Sequence, residues 1–314
     1  MVNIYRTDKN KAHKVEEKNT IEEGCWIEMT NPTEEELEMV AKKTGANYHL
    51  LNKLLDDEEL PRIEEEEGST LIVLDTPYLA NNNFKHKYNT YPIGLILHGN
   101  YFISISVKEL DIFNDFKAGR IKEFDIKKRT KFVIQVLLKI AGVYQHELKA
   151  INEDMNQKEK TLCKSTNNKE LISLLDMEKT LTYFITSLKA NDVVLEKLGK
   201  KNVIPMYEDD IDLLDDASIE NKQAIEMANI YKDILTSMTD TYATIISNNL
   251  NDVMKFLAAI TIVFSIPTMI SSMLGMNVFL GDIATNPYSF IIIIGISILL
   301  SLLIAWWFKR KNML

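Results

Sequence analysis

Four hydroxyl side chains recur along one apolar stretch near the end of the chain. They are Thr261, Ser265, Thr268 and Ser272, at intervals of four, three and four residues. At 100° per residue of an α-helix they fall within about 60° of one another, which makes one narrow stripe. A hydroxyl stripe in a membrane must face protein or water. The spacing therefore indicates a water-lined pore face, or hydroxyls bonded back to the i−4 carbonyls of their own helix.

The stripe continues beyond the four hydroxyls in both directions. Toward the N-terminus it meets Leu257, Met254 and, at its edge, Asn251. Met254 and Leu257 are candidates for a hydrophobic gate, which closes a pore by dewetting, and the alternative is ordinary helix packing. Toward the C-terminus the stripe reaches Gly275, the first residue of a Gly-Met-Asn tripeptide.

Two apolar stretches are long enough to cross a membrane. Phe256–Leu274 and Phe290–Phe308 each hold about 19 residues, close to the roughly 20 that the hydrocarbon core requires. Lys255 precedes the first stretch and three basic residues follow the second, whereas the connecting segment Asn277–Ser289 has no Lys or Arg. The positive-inside rule then predicts that both termini are cytoplasmic and that the loop, with its single acid Asp282, is external. A buried core helix is the alternative for the second stretch.

Residues of the second stretch predict how it sits in a membrane. Trp306 and Trp307 fit an interfacial aromatic belt on the inner side, and Tyr288 fits the outer one. Three small residues recur at intervals of four, namely Ser297, Ser301 and Ala305. Small residues on one face allow close helix packing in lipid, so this stretch is expected to pack against the first.

The segment before the first apolar stretch predicts an unusually long helix. No Pro or Gly occurs between Pro205 and Pro267, and a helix over that interval would be roughly 60 residues or ~90 Å long. Residues three and four apart form a coiled-coil-like seam, namely Ala228, Tyr231, Leu235, Met238, Tyr242, Ile245 and Asn249. The seam indicates either a stalk that runs on into a pore helix or a hairpin partner helix inside one subunit. Pro267 is expected to kink the helix.

An acidic run, EDDIDLLDD at Glu208–Asp216, opens this long helix. The helix dipole favours carboxylates at a helix N-terminus, so a solvated helix start is one interpretation. The other is a regulatory cation site, with Asp212, Asp215 and Asp216 as candidate ligands.

The first 126 residues predict a separate α+β domain. Strands and helices are expected, in chain order, at Thr33–Lys43 (helix), Tyr48–Leu55 (helix), Leu71–Leu74, Ile93–Leu97 and Tyr101–Val107 (strands). Thr33 followed by Glu36 matches a capping box, which marks a helix start. Beyond this domain, Lys127–Cys163 and Lys169–Leu198 predict a helical hairpin.

The composition limits the functional classes. The formal net charge is −9, and an acidic body repels nucleic acid and favours cations. Cys25 and Cys163 have no metal-ligand spacing and fit a reducing compartment. No Gly-rich phosphate loop, zinc-ligand pair or nucleophile elbow occurs, so neither an enzyme nor a covalently bound cofactor is expected. The first residues lack an apolar signal region, which predicts that the N-terminal domain stays in the cytoplasm.

These features together resemble the CorA family of magnesium and cobalt transporters. The tripeptide Gly275-Met276-Asn277 ends the first of two C-terminal spans, and a basic tail follows the second. The stretch around Pro61 and Arg62 resembles the N-terminal domain of that family. The segment from residue 219 to residue 257 resembles its stalk helix.

The resemblance implies an architecture and a set of site residues. It implies a funnel-shaped homopentamer in which five copies of the first span line the pore. Gly275, Met276 and Asn277 match the selectivity motif of the family. The family's pore-lining positions fall on Asn251, Met254, Leu257 and Thr268, in agreement with the stripe derived from periodicity. Asp216 matches a regulatory aspartate of the family, although the loop that matches its partner, residues 79–83, has no carboxylate here.

The resemblance also implies a function, which is inward transport of divalent cations, chiefly Mg²⁺, through a homo-oligomeric channel in a cell membrane. Mg²⁺ gives up its waters reluctantly, and the first span has no carboxylate to strip them. A ring of Asn277 side chains can instead accept hydrogen bonds from the ion's own waters. The expected partners are further copies of the chain, the bilayer and divalent cations. The alternatives are a Zn²⁺, Co²⁺ or Ni²⁺ transporter of the same family, or a membrane-tethered coiled-coil scaffold.

The expected organisation follows from these boundaries. The domain is residues 1–126, the helical hairpin region 127–204, the stalk helix 205–254, the first span 255–276, the external loop 277–289, the second span 290–308 and the basic tail 309–314.

Overall fold

The structure is a computed structural model and describes residues 1–8, 14–79, 88–162, 168–200, 203–276, 281 and 286–311. Contacts within the chain separate two units, Met1–Met238 and Thr239–Leu314. Some residues singled out by the sequence lie outside the described residues, namely Cys163, Asn277, Asp282, residues 80–83 of the loop without a carboxylate and residues 312–314 of the basic tail.

The first unit contains a seven-stranded sheet. Its strands are β1 (Val2–Asp8), β2 (Lys14–Lys18), β3 (Trp26–Thr30), β4 (Arg62–Glu66), β5 (Ser69–Leu79), β6 (Tyr88–His98) and β7 (Tyr101–Ser106). The order across the sheet is β2-β1-β3-β7-β6-β5-β4. The β3–β7 pair is parallel, and the other neighbouring pairs are antiparallel.

The helices in the described part of the chain are α1 (Glu34–Thr44), α2 (Tyr48–Lys53), α3 (Asn114–Lys117), α4 (Arg129–Leu162), α5 (Asn168–Lys200), α6 (Glu208–Leu274) and α7 (Ser289–Arg310). A short 3-10 helix at Asp111–Phe113 precedes α3. The predicted capping box of α1 is confirmed. The Glu36 amide donates to Thr33 Oγ1 at 3.3 Å, and the Thr33 amide donates to Glu36 Oε2 at 3.0 Å.

Strands β5 and β6 are longer than the strands predicted from the sequence. The sequence prediction stops before Pro77 on β5 and begins after Pro92 on β6, because a proline cannot donate a hydrogen bond inside a sheet. The structure places both prolines where the strand has only one neighbour. Pairing of β5 with β4 ends at Val73, and pairing of β6 with β7 begins at Ile93. A strand can therefore run through each proline without losing a ladder bond.

Both faces of the sheet are covered. Successive side chains of β3 point to opposite faces, and both sets are buried. Ile27 points into a cluster with Leu37 of α1 and Leu50 of α2. Trp26, its neighbour, points to the other face, where its ring centroid lies 5.2 Å from that of Phe132 on α4. The buried indole N–H donates to Ser104 Oγ at 2.8 Å, so the polar atom of this large side chain has a partner.

A buried carboxylate joins the sheet to α5. Ser187 Oγ donates to Asp75 Oδ2 at 2.6 Å. The Asn191 side chain bridges the backbone of the same residue, accepting from the Asp75 amide at 2.9 Å and donating to its carbonyl at 2.8 Å. Burial raises the pKa of the Asp75 carboxyl, and the Ser187 bond opposes that effect. These bonds fix the register of α5 on strand β5.

Helix α6 begins in the first unit and packs there against its own chain. Ala217, Ala224, Ala228 and Leu235 are buried. Asn221 Nδ2 donates to the Leu188 carbonyl of α5 at 3.1 Å. The seam residues Ala228 and Leu235 therefore serve packing inside one chain, as the hairpin alternative predicts. The same helix nevertheless continues without a break to Leu274, as the stalk alternative predicts.

In the second unit, α6 passes through Pro267, and a serine of α7 lies beside the carbonyl that the proline leaves without its helical donor. Proline has no N–H, so the carbonyl four residues earlier, that of Val263, loses its helical donor. Ser301 Oγ of α7 lies 3.4 Å from the Val263 oxygen and also bonds to the Ser297 carbonyl at 2.9 Å. A hydroxyl from a neighbouring helix is a usual way to satisfy such a carbonyl in a membrane. The sequence identifies Ser301 only as a small residue, and the structure gives its hydroxyl this second role.

We expect Ser301→Ala to destabilise the packing of α6 and α7 by about 1 kcal/mol, because it leaves the Val263 carbonyl without a donor. Unfolding of the detergent-solubilised protein in SDS measures this cost. Ser297→Ala is the matched control, since among the described residues the Ser297 hydroxyl bonds to carbonyls of its own helix, those of Ile293 and Ile294.

A Pro267→Ala background tests the cause. An alanine in place of the proline restores the N–H that the Val263 carbonyl lacks, so the cost of Ser301→Ala should fall to that of Ser297→Ala. An equal cost in both backgrounds would mean that Ser301 acts only through its size.

Candidate functional site

The structure places the four predicted hydroxyl residues along one surface groove of α6. The groove has a volume of about 720 Å³. It is lined by Thr261, Phe264, Ser265, Thr268, Met269, Ser272, Met273 and Met276. The stripe derived from spacing is therefore a continuous surface feature that runs to the middle residue of the Gly-Met-Asn tripeptide.

This groove faces away from α7. Ala259 is fully buried, and the neighbouring Val263 carbonyl receives the Ser301 hydroxyl, so these two positions mark the side of α6 that packs on α7. At 100° per residue the centre of the hydroxyl stripe is roughly 170° from that side. The hydroxyl face is thus the one that a single chain leaves open.

Three of the hydroxyls also bond to their own helix. Thr261 Oγ1 donates to the Leu257 carbonyl at 2.7 Å, and Thr268 Oγ1 donates to the Phe264 carbonyl at 3.1 Å. Ser265 Oγ donates to the carbonyl of Ile262, three residues back, at 2.8 Å. Back-bonding, the alternative drawn from the sequence, is therefore real. It uses the hydroxyl proton and leaves the oxygen lone pairs on the exposed face, so it is compatible with a water-lined surface.

The predicted gate residues lie on the same side of α6 and are open in one chain. Met254 is 58% exposed and Leu257 is 52% exposed, and Asn251 is also exposed. Large apolar side chains in that state need lipid or another protein surface to cover them. The gate therefore stays a prediction that requires more than one copy of the chain.

The tripeptide begins where α6 ends. The Gly275 amide still donates to the Ser271 carbonyl at 3.0 Å, and the Met276 amide lies 3.4 Å from the Met273 carbonyl. Met276 is 59% exposed and closes the end of the groove. The described residues thus bring two members of the motif to the mouth of the hydroxyl face, and Asn277 follows immediately in the sequence.

The acidic run at the start of α6 divides into two kinds of residue. Asp210 is 5% exposed, and its Oδ2 accepts from the Tyr207 amide at 3.1 Å, so it belongs to the helix start. The candidate ligands Asp212, Asp215 and Asp216 are exposed. Among the described residues, a single chain brings together no group of three His, Cys, Asp or Glu side chains that could hold a metal ion. The regulatory site stays a prediction, and it would have to be completed by another copy.

Sequence spacing missed the apolar members of the groove. Met269 is not among the residues that the spacing assigns to the stripe, but the structure places it in the groove with Thr268 and Ser272. The reason is the length of the side chain, since an unbranched thioether reaches across one flank of a helix. Met269 and Met273 are four residues apart, and this interval is the signal that identifies them as one flank.

Most of the chain is similar in sequence to known transport proteins. A family model described as "CorA-like Mg2+ transporter protein" matches residues 22–310. The "Cobalt/magnesium transport protein CorA" of Methanocaldococcus jannaschii is 26% identical over 296 residues, which is 91% of this chain and 90% of that protein. The protein of the same name from Thermotoga maritima is 22% identical over 305 residues, 92% of this chain and 83% of that protein.

Solved structures confirm the predicted fold class. The complete structure of the CorA magnesium transporter from Methanocaldococcus jannaschii matches with a TM-score of 0.86 at 23% identity, over 100% of this chain and 99% of that one. The full-length CmaX protein matches with a TM-score of 0.69 at 15% identity, over 100% of this chain and 97% of that one. The α+β domain, the long helix and the two apolar helices are thus a fold already seen in complete chains.

We expect cysteine at the hydroxyl face to react with a small hydrophilic thiol reagent in protein reconstituted in vesicles. Thr268→Cys and Ser272→Cys should react at least roughly ten-fold faster than Ile262→Cys, because a thiolate forms only where water can solvate it. Ile262 is a suitable control, since it is 44% exposed in one chain but is not a groove residue. The background lacks Cys25 and Cys163. Equal labelling rates at the three positions would rule out a water-lined stripe.

Proposed function

This chain belongs to the CorA-like Mg²⁺ transporter family, and from that premise we propose that it carries divalent cations, chiefly Mg²⁺, inward across a cell membrane through a homo-oligomeric pore. The observation that carries the proposal is the exposed hydroxyl groove of α6, which faces away from α7 and ends at Met276. Copies of α6 arranged around an axis would turn this groove into the wall of a water-filled path.

Membrane insertion is supported by both apolar helices. Two helices, α6 and α7, are long and apolar enough to cross a membrane, and their apolar windows are only 6% buried. Phe264 and Phe290 are each 72% exposed, a state that water does not favour. We propose that both termini are cytoplasmic, because the basic residues flank the ends of the spans and are lacking between them.

Selection of a hydrated ion is the mechanism that fits the residues. From Phe256 to Met276 the chain has hydroxyls and thioethers but no carboxylate, so nothing in this segment replaces the tightly held waters of Mg²⁺. The Asn277 amide of each copy would accept hydrogen bonds from those waters at the outer mouth, next to Gly275 and Met276. A membrane potential, negative inside, supplies about 4.6 kcal/mol for two charges at 100 mV.

The number of copies and the gate belong to the same proposal. The resemblance to the family supports a homopentamer, in which Met254 and Leu257 of each copy would form a dewetting constriction below the hydroxyls. The tripeptide does not by itself separate Mg²⁺ from Co²⁺, Zn²⁺ or Ni²⁺. Uptake of each ion into vesicles that contain the purified protein tests the function and ranks the ions.

We expect Asn277→Ala to lower Mg²⁺ uptake by about ten-fold or more, because each copy loses a hydrogen bond to a charged, hydrated ion worth about 1.5–3 kcal/mol. Ion flux into vesicles measures the loss, and size-exclusion chromatography checks that assembly is unchanged. Asn286→Ala is the matched control, since Asn286 is an amide of the same connecting segment and its side chain accepts from the Tyr288 amide. Normal uptake by an assembled Asn277→Ala protein would remove Asn277 from the selectivity mechanism.

We further expect the exposed acids at the start of α6 to set inhibition by cytoplasmic Mg²⁺. A cation that bridges two copies there would relieve repulsion between like charges, and it would close the pore if the site forms better in the closed state. The test variant changes Asp209, Asp212, Asp215 and Asp216 to Asn. It keeps Asp210, which the structure assigns to the helix start. The Mg²⁺ concentration that half-inhibits the current should rise.

The control for this variant changes three exposed acids farther along the same helix, Glu226→Gln, Asp233→Asn and Asp240→Asn. It makes α6 less negative without changing the acidic run at Glu208–Asp216. If the half-inhibiting concentration is the same in both variants and in the unmodified protein, the acidic run is a solvated helix start and any sensor lies elsewhere.

A further inference from the structure

Helix α7 ends in two exposed tryptophans followed by three consecutive basic residues. Trp306 is 60% exposed and Trp307 is 51% exposed, whereas the next residue, Phe308, is 5% exposed. Lys309, Arg310 and Lys311 follow and are all exposed. The end of the helix is thus anchored by one buried ring and presents two rings outward.

Two of the three cations lie against these rings. The Arg310 guanidinium carbon is 5.8 Å from the centroid of the Trp306 ring, and Lys311 Nζ is 5.9 Å from that of the Trp307 ring. Each pair is four residues apart, the spacing that places side chains on one face of a helix. Both distances are within the range of a cation–π contact. The Arg310 and Lys311 side chains therefore turn toward the N-terminal end of the helix, and their charged groups lie next to the indole rings.

Both pairs occupy the face of α7 that is turned away from its packed side. At 100° per residue, Trp306, Arg310, Trp307 and Lys311 span about 140°. The buried Ser297 and Phe308, with Ser301, mark a side whose centre is roughly 130° from the centre of that span. Lys309 lies outside the span and has no ring partner among the described residues.

No charge within this segment neutralises the two cations. Residues 286–311 contain no Asp or Glu. Within the described part of the chain, none of the three basic side chains forms a salt bridge, whereas Lys255 at the other span pairs with Asp252 at 2.9 Å. Among the described residues, this face therefore carries two cations without an acidic partner, flanked by two amphipathic rings.

We propose that this face of α7 binds the phosphate headgroup of an anionic phospholipid. The Arg310 guanidinium and the Lys311 ammonium contact the phosphate oxygens, and the indoles of Trp306 and Trp307 lie against the glycerol and upper acyl region. The two cations favour an anionic ligand, and the exposed tryptophans favour a position at the membrane interface rather than in bulk water. The proposal requires that α7 is inserted in a membrane, and it is independent of cation transport.

Tryptophan fluorescence in vesicles tests the proposal. The purified full-length protein is reconstituted in mixtures of phosphatidylcholine and phosphatidylglycerol, with one or the other carrying brominated chains that quench indole. Trp306 and Trp307 report on the site. Trp26, the third tryptophan, is fully buried in the first unit and gives a constant unquenched background.

We expect brominated phosphatidylglycerol to quench more strongly than its share of the lipid predicts, with a preference of roughly five-fold, the effect of about one basic residue at an anionic surface. Changing both Arg310→Gln and Lys311→Gln should reduce the preference to none. Lys309→Gln, which removes a charge from the same turn but no ring-paired cation, should retain it. Arg310→Lys should also retain it, because a cation remains beside the ring.

Three results would overturn the proposal. One is the absence of any preference for phosphatidylglycerol in the unmodified protein. Another is an equal loss in Lys309→Gln and in Lys311→Gln alone, which would reduce the effect to general surface charge. The third is loss of the preference on addition of excess inorganic phosphate, which would make free phosphate the ligand. Failure of ion uptake leaves the proposal intact, so the two functions are tested separately.

Discussion

A backbone carbonyl inside a hydrocarbon layer has no water to bond to, and this requirement organises the second unit. It explains why α6 runs unbroken through Pro267 and why a serine of α7 stands beside Val263. The proline frees one carbonyl, and Ser301 lies within reach of it at 3.4 Å. The small side chain at this position thus does two things. It lets the helices approach closely, and it supplies a donor at the point where α6 lacks one.

The same requirement reconciles the two interpretations of the hydroxyl stripe. Thr261, Ser265 and Thr268 donate their protons to carbonyls of their own helix, so these three donors are paired before any copies assemble. Their oxygens remain on the groove side and can accept from water once a pore exists. Back-bonding is therefore compatible with the water-lined face that we propose for the same stripe.

The sequence predicted best the features that depend on local interactions. The capping box of Thr33 and Glu36 needs only four consecutive residues, and the length of α6 before Pro267 follows from the absence of Pro and Gly there. Strands were harder, because their bounds depend on neighbours far away in the chain. Pro77 and Pro92 could stay inside strands only because β4 and β7 end before reaching them. The acid-rich β4 and the short β1, β2 and β3 gave little signal of their own and form through pairing.

In the candidate site, too, local periodicity predicts some features and others depend on side-chain positions. Helical periodicity is enough to align Thr261, Ser265, Thr268 and Ser272, whereas the place of Met269 in the groove depends on side-chain reach. Spacing likewise could not separate Asp210, which bonds the Tyr207 amide, from the exposed acids beside it. Both distinctions require coordinates, because they concern which of several adjacent side chains turns toward a particular atom.

In the second unit, the faces of α6 need both surroundings: lipid around the apolar side chains and further copies of the chain around the groove. One side is covered by α7 at Ala259 and Val263. Lipid can cover exposed apolar side chains such as Ile262 and Phe256, but it offers no hydrogen bonds to the oxygens of the opposite groove. Water satisfies those oxygens but not the apolar flanks. Further copies of the same helix meet both demands at once, since their flanks cover one another and their grooves together enclose water. The homo-oligomeric pore that we propose is thus an arrangement that gives a suitable neighbour to each of these faces of α6.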